Sequence, residues 1–66
     1  MISHVKEIRV SLGMTQQELS DLLKVSRQTI FSIETGKYVP STILSLKISK
    51  IFNKSVEDLF ILEEND

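Results

Sequence analysis

The chain has 66 residues, of which 41% are apolar, with one proline, two glycines and no cysteine; this suits a single small helical domain and excludes disulfides and thiol chemistry. Mean hydropathy is near zero, no apolar run is long enough to span a membrane, and Met-Ile-Ser-His is not expected to open a secretory leader, so a cytoplasmic protein is expected. The formal net charge of −1 is unevenly spread: residues 1–56 hold all eight Lys and Arg against four acids, and residues 57–66 hold five acids and no base.

In chain order, Val5, Ile8 and Leu12 recur at helical spacing and predict a first helix, ended by Gly13, with Met14 packing into the core. Thr15 and Glu18 then form a capping-box pair, so a second helix starts at Gln16 with Leu19, Leu22 and Leu23 as its apolar face. Ser26 can cap a third helix from Arg27 to about Glu34, with Ile30 and Ile33 facing inward and Gly36 as the left-handed stop. Only Lys24 and Val25 separate helices 2 and 3, which forces a sharp crossing, and the small Ser20 leaves room for close approach.

With Ile30 and Ile33 inside, the 100° step per residue turns Gln28, Phe31, Ser32 and Thr35 outward, and Arg27 projects from the first turn. Arg can fork onto guanine O6 and N7, and Gln can pair with adenine N6 and N7. The run Gln16, Glu18, Leu19, Val25, Ser26, Thr29, Ile30, Ile33, Glu34, Gly36 and Pro40 resembles the helix-turn-helix of the Cro and phage-repressor (XRE) family over about residues 5–60. The resemblance implies an all-α, compact five-helix, lambda-repressor-like domain covering residues 1–66, with its helix-turn-helix at about 15–35. It also implies that Arg27, Gln28 and Ser32 face the bases, that Gln16 binds phosphate, and that Thr29 lies nearer the backbone. Gln17 and Lys24 join the expected phosphate contacts. Arg9 is expected to pair with Glu34, fixing helix 3 against helix 1.

Two positions depart from the family pattern. Lys24 stands where a Gly able to take positive φ is common, at an expected cost of roughly 1 kcal/mol. Phe31 puts a large apolar group on the groove-facing side, where it either contacts a thymine methyl or packs against protein.

Lys37 and Tyr38, in the loop before Pro40, are further candidate phosphate contacts. Ser41 can cap a fourth helix to about Phe52, with Leu44, Ile48, Ile51 and Phe52 on one face and a second stripe of Ile43 and Leu46 that a small core does not need. Asn53 ends it, and Ser55 with Asp58 predicts a short fifth helix carrying Val56, Leu59 and Phe60, so that helices 4 and 5 span about 41–60. Ile61 and Leu62 are expected either in a short strand against Met1 to Ser3 or in a dimer contact. A symmetric homodimer is expected around Val56, Phe60 and Ile43 or Leu46, placing two recognition helices about 34 Å apart on an inverted repeat. The acidic tail, residues 61–66, is expected to fray and to lie away from DNA, while Lys24, Arg27 and Lys37 face it.

Nothing points to an enzyme, a cofactor or a metal. His4 is the only histidine and reads as a solvated surface residue. Glu57 and Asp58 are adjacent and diverge around a helix, and Ser26, Ser32 and Ser41 have no base beside them in sequence. The functional expectation is a sequence-specific, double-stranded-DNA-binding regulator, a homodimeric repressor. Its rival is an interaction module or antitoxin-type component using the same scaffold to bind a partner protein.

Overall fold

A computed structural model describes all residues, 1–66, in the order β1 (Ile2–Ser3), α1 (Val5–Ser11), α2 (Gln16–Leu23), α3 (Arg27–Glu34), α4 (Thr42–Phe52), α5 (Val56–Leu59) and β2 (Phe60–Ile61). Four of the five helices begin on a hydroxyl cap. Thr15 accepts from the Glu18 backbone N–H while the Glu18 carboxylate accepts from the Thr15 N–H, completing the box. Ser26, Ser41 and Ser55 accept in the same way from the N–H groups of Thr29, Leu44 and Asp58. Each cap satisfies a backbone donor that the first helical turn otherwise leaves open.

The turn between α2 and α3 is made by Lys24 itself, at φ 57° and ψ 43°. A left-handed lysine brings the Cβ against the following carbonyl; here it lets Lys24 and Val25 donate back to the Asp21 and Ser20 carbonyls and close α2. Asn53 repeats the device at the end of α4 with φ 55°, in a residue type that tolerates it better.

The core is Val5, Leu19, Leu23, Ile30, Ile33, Ile48, Phe52 and Leu59, drawn from all five helices, with Ile8, Met14, Val25, Leu44, Ile51 and Phe60 packed around it. Ser20 is buried among them, with its hydroxyl donating to the Gln17 carbonyl. Two apolar faces are narrower than the spacing predicts, since Leu12 and Leu22 are both more than half exposed. On α2 the buried arc is Leu19, Leu23 and Ser20, which spans 100° on one side of Leu19, and Leu22 falls 60° to the other side. On α1 the buried pair is Val5 and Arg9, and Leu12 falls at the C-cap, beyond the last helical residue Ser11.

The C-terminal segment also differs from expectation. Helix α5 stops at Leu59, and Phe60 is already extended, pairing with Ser3 while Ile61 pairs with Ile2 in a two-stranded antiparallel ribbon. The tail beyond it folds back instead of fraying: the Met1 amine lies 2.8 Å from Glu63 and 3.0 Å from Asp66, and the Asp66 carboxylate accepts from the Glu63 N–H at 2.7 Å. These hydrogen bonds raise the amine pKa above its ordinary value and hold the Asp66 carboxyl below its own.

Candidate nucleic-acid interface

The outward side of α3 carries Arg27, Gln28 and Phe31, all exposed, with Thr29 and Ser32 half-buried at its margin. The backing comes from Ile30 and Ile33, fully buried beneath. Full burial of such side chains contributes about 1.5–3 kcal/mol each, enough to fix which way so short a helix faces.

Gln16, at the first turn of α2, ties this face to the interior. Its Nε2 donates to Glu34 Oε1 at 3.0 Å, and its Oε1 accepts from Arg27 Nε at 3.3 Å. Glu34 in turn accepts from Arg9 Nε at 2.6 Å and from the second Arg9 nitrogen at 3.3 Å, and the remaining guanidinium nitrogen donates to the Met14 carbonyl at 2.7 Å. The side chains of Arg9 and Glu34 are 10% and 3% exposed. A continuous hydrogen-bonded path therefore runs from a desolvated ion pair beneath α3 to the arginine at its exposed start.

The loop after α3 converges largely on one acceptor, with the Gly36 N–H donating separately to the Ile33 carbonyl at 3.1 Å. The Ser32 carbonyl takes the backbone N–H groups of Lys37 and Tyr38 at 3.1 and 3.2 Å and the Thr35 hydroxyl at 3.1 Å. Tyr38 is thereby brought to a shallow concavity shared with Gln28, Thr29 and Ser32. A neighbouring concavity is lined by Gln16, Arg27, Gln28 and Phe31. Lys37 and Lys24 are exposed on the two loops that flank α3, whereas Gln17 is turned to Asp21 on its own helix at 2.9 Å and Thr29 bonds Ser26 through the two hydroxyls. None of the residues beyond Phe60 lines either concavity.

Sequence reasoning missed how Gln16 is used inside the protein. The box Thr15–Glu18 located the residue, but its contact with Glu34 joins positions 18 residues apart, for which a single sequence carries no local signal. His4 faces Glu7 at 3.3 Å, and no group of three or more His, Cys, Asp or Glu side chains is arranged so that it could hold a metal ion.

Two capped helices crossing at a tight turn, the second exposing Arg and Gln at its start, define a helix-turn-helix DNA-binding domain. The helix-turn-helix family model HTH_3 matches residues 5–59, and the chain belongs to that family of DNA-binding transcriptional regulators, which are not enzymes. The uncharacterized HTH-type transcriptional regulator YgzD of Bacillus subtilis is 47% identical over 66 residues, all of both chains. An uncharacterized HTH-type regulator of Methanocaldococcus jannaschii is 46% identical, again over the whole of both. The competence pilus inhibition repressor of Acinetobacter baylyi is 36% identical over 61 residues, 92% of this chain and 56% of that protein. Among solved structures, the restriction-modification controller protein C.AhdI of Aeromonas hydrophila superposes with a TM-score of 0.75 at 25% identity, over 85% of each chain. The fold is thus the lambda-repressor-like one, five helices with a two-strand ribbon added.

Proposed function

We propose that the protein is a sequence-specific repressor that binds an inverted-repeat operator as a homodimer, in the cytoplasm. The carrying observation is the exposed start of α3, where Arg27 is aimed by Gln16 while Gln28 is left free of protein partners at the junction of two concavities. In this reading Arg27 and Gln28 contact base edges, with Ser32 and Phe31 deeper along the helix. Gln16, Gln17, Thr29, Lys24, Lys37 and Tyr38 serve the phosphates. The repressor assignment draws support from the repressor among its relatives.

Dimerisation is supported by apolar surface that the monomer leaves uncovered. Ile43 is 68% and Leu46 53% exposed on α4, and Ile61 and Leu62 are exposed beside the half-buried Val56 and Phe60. An isologous contact through these residues covers the stripe and pairs two recognition helices. The same stripe carries the second reading, in which a partner protein of antitoxin or sequestration type docks there.

A salt series on duplex DNA tests the DNA reading. Bound phosphates release counterions, so log affinity falls linearly with log salt; a binding signal indifferent to salt favours the protein-interaction reading instead.

A further inference from the structure

The concavity lined by Gln16, Arg27, Gln28 and Phe31 has a volume of about 220 Å³ and one apolar wall, Phe31, among three polar side chains. Phe31 is 47% exposed and belongs neither to the buried core nor to the apolar residues packed around it, so intramolecular packing does not account for it. It stands four residues after Arg27, hence about 40° around α3 and about 6 Å along it, on the same side of the helix. Leaving an aromatic ring in water in the middle of a polar reading face forgoes burial worth about 25 cal/mol for each Å² it could cover.

The occupant that fits this composition presents hydrogen-bonding edges beside a single small apolar group. In a major groove only thymine supplies one, the C5-methyl that stands next to its O4 acceptor, and apolar side chains read it by contact. We infer that Phe31 is a specificity-determining residue that recognises a thymine C5-methyl in the same half-site that Arg27 and Gln28 read. The inference rests on the DNA reading above and adds a base identity to it. The phenylalanine forms no hydrogen bond, so it selects for the methyl group and not for the pairing edge.

The test uses a duplex selected by the wild-type protein from a random pool, in which each thymine is replaced in turn by deoxyuridine; this removes the methyl group and keeps every hydrogen-bonding atom. One replacement is expected to weaken wild-type binding about three- to tenfold, the scale of one buried methyl group. Phe31→Ala should lose a similar factor on the thymine duplex and become indifferent to that replacement. Because the ring lies outside the core, the variant should keep the wild-type melting temperature, which a thermal scan checks. Wild-type indifference to every uracil overturns the inference and leaves the DNA reading intact. So does a Phe31→Ala loss of equal size on thymine and uracil duplexes, which assigns the ring to a protein contact. If no duplex is enriched at all, the DNA reading itself fails and this inference falls with it.

Discussion

Arg9 and Glu34 meet at 2.6 Å almost without solvent, one from α1 and the other from the last residue of α3, and every polar atom of the pair that is buried has a partner. Removing one member leaves the other charge desolvated, which costs about 3–5 kcal/mol, far more than an exposed pair of the same geometry. Arg9→Met should therefore lower the unfolding free energy by about that amount in chemical denaturation. The double replacement Arg9→Met with Glu34→Leu should recover most of the loss, because it removes both charges together. A single variant within about 1 kcal/mol of wild type would show that water reaches the pair.

Lys24 holds a left-handed backbone that glycine adopts without strain. Lys24→Gly should stabilise the fold by up to about 1 kcal/mol, raising the melting temperature by roughly 4–8 °C for a domain of this size. If Lys24 also touches phosphate, the same variant weakens binding to all sequences alike, seen as a shallower salt slope.

The Glu18 carboxyl is held below its ordinary pKa of 4.5, first by the Thr15 backbone N–H and then by the Thr15 hydroxyl. A depressed folded-state pKa means that the stability it adds is present above the ordinary value and is lost as pH falls through the lower, folded one. Wild type should thus lose melting temperature below about pH 4.5, and Glu18→Gln, which keeps an acceptor but cannot titrate, should fall less steeply there. Parallel acid limbs for the two proteins would remove Glu18 from the account.

Dimerisation through α4 predicts that Ile43→Glu, and Leu46→Glu alongside it, halves the mass seen by analytical ultracentrifugation without unfolding the domain, since both side chains are already exposed in the monomer. Weaker operator binding should accompany it, because one subunit makes few phosphate contacts. An unchanged mass places the stripe outside the dimer.

Much of this architecture was legible in local pattern. Thr15 with Glu18, then Ser26, Ser41 and Ser55, mark four helix starts through backbone donors that need a hydroxyl, and Asn53 and Gly36 mark stops through positive φ. The ribbon was visible only as one of two uses for Ile61 and Leu62, because pairing Ile2 with Ile61 joins the two ends of the chain. Leu12 and Leu22 are exposed against expectation because periodicity counts apolar residues and does not see which arc the neighbours cover: on α1 the buried residues are Val5 and Arg9, and on α2 the covered arc runs from Leu19 towards Ser20 and leaves Leu22 outside it. The hydrogen bonds of Gln16 to both Glu34 and Arg27 leave no mark in the sequence, because they join residues 18 and 11 positions apart and depend on how α2 crosses α3.

Selection of bound duplexes from a random pool, run in parallel with wild type and Arg27→Ala, tests the central claim most directly. The wild-type pool should converge on an inverted repeat, and Arg27→Ala should cost about 1–3 kcal/mol on the best sequence and relax preference at one position per half-site. Lys37→Ala, as the control, should weaken all sequences equally. A wild-type pool that never converges, or an Arg27→Ala loss of the same size on selected and random DNA, would contradict the assignment of α3 as the helix that reads sequence.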